Sequence, residues 1–295
     1  MKKYWKVAGA LACAIALAGA LAGCSSSSST TEEKTTQAEE TTAAVELQVF
    51  AANSLEKVLP EVEALYTEAN PNVTFADNNT AASGTLVTQL KDAPGTADVL
   101  ICASKGSMDT AEENGSIDSA TRVNMFNNDL VIVAKEGSDL KISSLEDLAT
   151  NDAITSIAIG DPNVVPAGKY ALQSLESAGL VTYDTAEDGT IENIVWADSI
   201  ADKINAGADK VGTVAKYVSG GEVTVGFIYT SDIYRYDGLT SVFTTAADSH
   251  KTIVYPGAVV AGSANADAAA DFINFCMTDA KAQSLFQQYG FELAA

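Results

Sequence analysis

The sequence predicts an α/β fold, built either as one large sheet or as two lobes with a cleft between them. Two observations predict it. From Val45 onward, short β-rich runs alternate with amphipathic helical stretches, the pattern of βαβ crossovers and a parallel sheet. The chain is 295 residues long, enough for one large domain or two modest lobes with a sizeable core.

Taken in order, residues 47–50 read as a strand and 54–69 as a helix, with Pro60 shortening or kinking its first turn. A strand at 73–75 and a helix beginning at Thr85 follow, then a strand at 98–102 and a helix at 105–113. The pattern resumes with an apolar run at 130–134, a short helix at 144–149, a strand at 157–159 and a helix after Pro166. Strands at 194–196 and 225–229 flank a helix at 209–218. The last third carries strands at 253–255 and 258–260 and two helices, 267–277 and 280–289. Crossings near Asn127-Asn128 and between His250 and Tyr255 would divide these units into two lobes, with carboxyl ends of strands lining the cleft.

The first 24 residues stand apart. Lys2, Lys3 and Lys6 precede an uncharged run rich in Ala, Leu and Gly from Val7 to Gly23. This is the layout of an export signal rather than of a spanning helix, which needs about 20 predominantly apolar residues. It ends in Leu21-Ala22-Gly23-Cys24, which resembles a bacterial lipobox, whose cysteine is lipidated and becomes the mature N-terminus. Residues 25–44, rich in Ser, Thr and Glu and without an aromatic residue, cannot offset their ordering entropy and read as a disordered tether. The expectation is an exported protein anchored through Cys24 to the outer face of the cytoplasmic membrane.

Basic residues number 17 and acidic residues 39, and loss of the three signal lysines leaves a net charge near −25. That balance argues against nucleic acid and against anionic membrane surfaces as partners. An anionic ligand stays admissible where backbone N–H groups and helix dipoles meet its charge locally, because the net charge acts only as a screened long-range field. Of four cysteines, Cys13 leaves with the signal and Cys24 is assigned to lipid. Cys102 and Cys276 read as small buried hydrophobes, with a bridge between them left open in an exported chain.

Catalytic chemistry is sparse. His250 is the only histidine, and Asp248-Ser249-His250-Lys251 reads as an exposed loop. No H-E-x-x-H, paired C-x-x-C or phosphate-binding G-x-x-x-x-G-K-[ST] occurs. Tyr229, Tyr234 and Tyr236 could supply phenolates to a ferric ion, but they read more simply as core and hinge aromatics. Catalytic residues and direct protein–metal ligands are therefore expected to be absent.

Donors are plentiful by contrast. Three strand-to-helix turns carry small residues: Phe50 to Leu55 with Ser54 as N-cap, Asn79 to Leu86 with Ser83 and Gly84 at the helix start, and Gly160 to Gly168 with Pro166 at the first helical position. Each alone would be ordinary capping. Together they would form a neutral cage of N–H and O–H donors suited to a small oxyanion.

Phe50-Ala51-Ala52-Asn53-Ser54-Leu55, Ser83-Gly84-Thr85-Leu86, Pro94-Gly95-Thr96-Ala97-Asp98-Val99, Gly226-Phe227-Ile228-Tyr229 and Tyr255-Pro256 resemble segments of the molybdate-binding proteins of ABC transporters. The most specific element is the G-D-P-x-x-V-P-A-G stretch at 160–168, and the resemblance runs in matching order from Val45 to Phe291. It implies a two-lobed, periplasmic-binding-protein-like α/β fold with an interlobe cleft and hinge. Residues 45–127 and 253–295 would form one lobe and 128–252 the other. It also implies a monomeric solute receptor that catalyses nothing, needs no cofactor, and binds molybdate or tungstate in the cleft. The receptor would pass the ion to the membrane permease and ATPase subunits of an importer. Residue by residue, the resemblance assigns the ligand to Ser54, Ser83, Ala167, Val211 and Tyr229, with no cation among them. Two departures stand out. Asn53 replaces a more usual alanine and adds an amide beside the pocket, and the stretch 198–209 before Val211 is longer than usual. The rival readings are a receptor for sulfate, phosphate or ferric ion, an exported hydrolase, and a purely structural surface lipoprotein.

Overall fold

A computed structural model describes residues 43–294. The export signal, Cys24 and all but the last two residues of the expected tether lie outside the described residues. Two mixed sheets organise the rest. One has six strands in the order Glu292–Leu293, Val123–Asn128, Ile253–Val259, Val99–Ile101, Val49–Ala52 and Asn79–Ala81. The other has five, in the order Ile204–Ala208, Ile157–Gly160, Val225–Tyr229, Leu130–Lys135 and Leu239–Thr244. The fully buried runs Val99–Ile101 and Val225–Tyr229 sit inside their sheets, as apolar strands covered on both faces must.

The expected parallel sheet holds only for part of each lobe. Val49–Ala52 pairs in parallel with Val99–Ile101 and with Asn79–Ala81, and Ile157–Gly160 does so with Ile204–Ala208 and Val225–Tyr229. The remaining pairs are antiparallel. The reason lies in the chain path. Val123–Asn128 and Ile253–Val259 pair side by side where the chain leaves the six-stranded sheet and returns to it. Leu130–Lys135 and Leu239–Thr244 do the same on the other side of the crossing. A strand that arrives from the other sheet is not a βαβ return and need not share its direction.

Pro60 has the consequence expected of it. A helix starting at Ser54 would put the proline ring against the carbonyl four residues earlier. The chain instead makes a 3-10 turn at Asn53–Leu55, and the α-helix Val58–Ala69 then carries Pro60 in its first turn, where a missing N–H costs nothing. Cys102 and Cys276 are both fully buried free thiols, so no bridge joins them. Burial pushes the Cys102 thiol up to about 12, which keeps it protonated and inert.

The lobes meet through a few close contacts. The Gly84 N–H donates to the Val164 carbonyl at 3.2 Å, and a Cβ on Gly84 would come within 3.0 Å of that backbone. Asn53 projects from the six-stranded side, and its Oδ1 accepts from the Gly212 N–H at 3.2 Å and from Arg235 Nη2 at 3.2 Å. Arg235 is almost fully buried; its guanidinium also donates to the Asn53 carbonyl, to Asp232 Oδ1 at 2.7 Å and to Glu56 Oε2 at 2.8 Å. Burial pushes the Asp232 carboxyl up, and the Arg235 charge beside it pulls the other way.

Removing one partner of a buried ion pair strands the other in a dry site. Arg235→Met should therefore cost about 3–5 kcal/mol of stability, read from the urea midpoint. Glu56 is half exposed on its side chain, 51%, so Glu56→Gln should cost under about 1 kcal/mol. A full-strength midpoint in Arg235→Met would show that the cluster does not hold the lobes together.

Candidate functional site

All five residues assigned from the sequence, Ser54, Ser83, Ala167, Val211 and Tyr229, line one cavity. Each lies at the carboxyl end of a strand from the parallel part of its sheet, where chain ends and helix starts converge. Ser54 follows Val49–Ala52, and Ser83 follows Asn79–Ala81. Ala167, Val211 and Tyr229 follow or end Ile157–Gly160, Ile204–Ala208 and Val225–Tyr229. The two sheets thus contribute from opposite sides.

The sequence explains how the 160–168 turn reaches the cavity. Asp161 Oδ1 accepts from the Asn163 N–H at 2.9 Å, and the Asp161 carbonyl takes the N–H groups of Val164 and Val165. Pro166 then opens the helix Pro166–Ser177 at its first position. Gly168 is required by close approach, since a Cβ there would sit 2.1 Å from the Gly160 carbonyl oxygen. The Val165 carbonyl accepts from Gly168 and Lys169, which leaves the Ala167 N–H as the donor without a carbonyl partner at this helix start. The helix Val211–Gly220 repeats the arrangement, with Gly212 N–H on Asn53 and Thr213 N–H on Lys210, leaving that of Val211.

Ser54 is not the N-cap expected of it, whereas Ser83 stands at the helix start as expected. Ser54 sits in the 3-10 turn, and its Oγ lies 2.9 Å from Tyr255 Oη. Ser83 is the first helical residue, behind Ala82 as N-cap, and its Oγ accepts from the Ala103 N–H at 2.9 Å. Each hydroxyl is tied to neighbouring structure rather than to its own helix. The Asn53 amide lines the cavity but is spent elsewhere, with Nδ2 on Glu56 at 3.1 Å and Oδ1 on Gly212 and Arg235. It bridges the lobes instead of adding a donor to the pocket.

The Tyr229 hydroxyl is fully buried and has no hydrogen-bond partner among the described residues. Such a group normally costs about 1–3 kcal/mol, so it marks a place built for a contact. Burial holds this phenol well above its ordinary pKa, so it keeps its proton and remains a donor. Among the described residues no Lys, Arg, His, Asp or Glu lines the cavity. Its volume is about 10 Å³, on the order of the space one water needs, so the walls lie close together. What the arrangement can do is donate hydrogen bonds, through hydroxyls and N–H groups at three helix starts, to a small acceptor.

Other candidates are not assembled. Of the three tyrosines considered for iron, only Tyr229 lines the cavity; Tyr234 is 58% exposed and Tyr236 lies under Arg235, 4.4 Å from its ring centre. Both ring nitrogens of His250 are engaged, with Lys251 O at 2.8 Å and Thr245 Oγ1 at 3.0 Å. Among the described residues no group of three His, Cys, Asp or Glu side chains could hold a metal ion.

Residues 47–292 match the family of bacterial extracellular solute-binding proteins. The chain is 31% identical over 252 residues to the molybdate-binding protein ModA of Escherichia coli (strain K12), covering 84% of this chain and 89% of that one. It is 29% identical over 271 residues to YvgL of Bacillus subtilis (strain 168), a candidate ABC transporter substrate-binding lipoprotein, with 92% of each chain covered. A solved structure, the substrate-binding domain of a candidate molybdenum ABC transporter from Clostridium difficile, superposes with a TM-score of 0.64 at 30% identity, covering 85% of this chain and 100% of that one. A donor-lined cavity between two mixed sheets and a family match across nearly all the described residues agree: the chain belongs to the bacterial extracellular solute-binding proteins, as a solute-binding protein of ABC transporters.

Proposed function

We propose that the cavity binds molybdate, and tungstate as its close analogue, and that the protein delivers the ion to the permease and ATPase of an ABC importer without catalysing a reaction. The observation that carries this is the donor set. Ser54, Ser83, Ala167, Val211 and Tyr229, whose phenol has no partner among the described residues, line one small cavity that no charged side chain among those residues lines. Such a set complements a dianion without a cation, since helix starts supply both N–H groups and partial positive charge. The ModA relative and the C. difficile structure, named for molybdate and molybdenum, support the choice of ion. Molybdate and tungstate are larger than sulfate, so cavity size would separate them from that tetrahedral dianion.

In this reading residues 45–127 with 253–295 form one lobe and 128–252 the other. They close on the ion by a hinge motion, and the protein acts as a monomer. Cys24 carries the lipid anchor, an assignment supported by the lipoprotein name of YvgL. The deciding experiment is calorimetric titration of the purified soluble domain with molybdate, tungstate, sulfate and phosphate in turn. Heat from molybdate and tungstate alone is the expected result, and tight binding of sulfate or phosphate in their place overturns the choice of ion.

Substitutions probe the individual assignments. Ser54→Ala and Ser83→Ala should each weaken molybdate binding by about 1.5–3 kcal/mol, the range for a hydrogen bond to a charged group, and unaltered affinity in both would remove them from the pocket. Ala167→Asp should abolish binding by setting a carboxylate against the ion, while Ala167→Gly, which keeps the N–H, should lose less than about tenfold, or 1.4 kcal/mol. In the full chain, Cys24→Ala should shift the protein from the membrane to the soluble fraction with its affinity intact, because stable anchoring needs the acyl chains; cell fractionation checks it.

A further inference from the structure

A chain of buried hydrogen bonds runs behind Ser54. Asn128 Oδ1 accepts from the Asp129 N–H at 3.0 Å. A backbone N–H can only donate, so this contact fixes which end of the amide is which. Asn128 Nδ2 then points the other way and donates to Ser231 Oγ at 2.8 Å and to Tyr255 Oη at 3.3 Å. The Tyr255 oxygen, already accepting, has its own proton to place, and Ser54 Oγ lies 2.9 Å away. Ser54 in turn accepts, and its own proton is left for the cavity. All four side chains are at least nine-tenths buried, so water does not scramble the order. Ser83 is set the same way by the Ala103 N–H.

We infer that Asn128 and Tyr255 are positioning residues for the ligand, which orient the Ser54 hydroxyl as a donor into the cavity through the directed chain Asn128 to Tyr255 to Ser54. The inference rests on the anion-receptor reading above. A hydroxyl free to turn would offer lone pairs to an anion part of the time. One whose lone pair is engaged by an upstream donor turns its proton away from that donor and toward the cavity. Burial raises the Tyr255 phenol above its ordinary pKa, so the relay keeps its proton across the physiological range.

The test is a double-mutant cycle by calorimetry with sodium molybdate, on wild type, Tyr255→Phe, Ser54→Ala and the double variant. Tyr255→Phe keeps the ring and removes only the link, and should weaken binding about tenfold, within the range for one hydrogen bond to a charged group. In the Ser54→Ala background the same substitution should cost less than about twofold, because its effect passes through Ser54. Equal losses in both backgrounds, or no loss in Tyr255→Phe, overturn the relay. Asn128→Asp is the second probe. It keeps the shape and the bond to the Asp129 N–H, but its second oxygen draws the Tyr255 proton away from Ser54. Its cost should be at least about tenfold larger with Ser54 present than in the Ser54→Ala background, which separates reversal from the added charge. A wild type that binds sulfate instead of molybdate overturns the choice of ion alone, and the cycle is then run with sulfate. A wild type that binds none of the four anions overturns both.

Discussion

How closely two backbones can approach sets the geometry of the cleft. At Gly84 and Val164 the lobes touch through a direct N–H to carbonyl bond, with no side chain between them. At Asn53 and Gly212 a single amide spans the gap. Glycine makes both contacts feasible, since a Cβ at Gly212 would strike Asn53 and Tyr236. With the walls this near, short groups reach the cavity: N–H groups, two serines and one tyrosine. Long cationic side chains are not needed there, and Arg235 spends its charge on Asp232, Glu56 and Asn53 instead.

Much of this site is legible in sequence because turn chemistry is local. The Gly160–Gly168 stretch announces a strand, a tight turn and a helix start from its own residues, and the structure realises it with the bonds of Asp161 and the close approach of Gly168. Ser54 and Ser83 are findable as small hydroxyl residues after a strand, although neither hydroxyl caps its own helix. Their partners, Tyr255 and Ala103, are 201 and 20 residues away. Periodicity carries no information about such pairings.

The same limit explains the rest. Asn53 and Arg235 are 182 residues apart, and each alone looks like a polar residue in a turn. The strands Ile204–Ala208 and Leu239–Thr244 escape a reading by pattern because each lies at a sheet edge and buries little of its length. An edge strand with Asn, Gly, Thr and Ser in it has neither alternation nor an apolar run to betray it. The antiparallel crossings are hidden for a different reason. Strand direction is a property of chain path, and composition does not record it.

The crossing itself has a mechanical meaning. The five-stranded sheet is inserted into the six-stranded one through two connections, one at Asp129 and one between Thr244 and Ile253. They run side by side, since Asn128 pairs with Ile253 and the Thr245 N–H bonds to the Leu130 carbonyl. Two adjacent pins define a single axis, as on a door. Swinging about that axis is the soft motion left to the inserted part, while sliding or twisting would tear ladder bonds on both sides. A part so jointed has essentially one soft coordinate relative to the rest of the molecule.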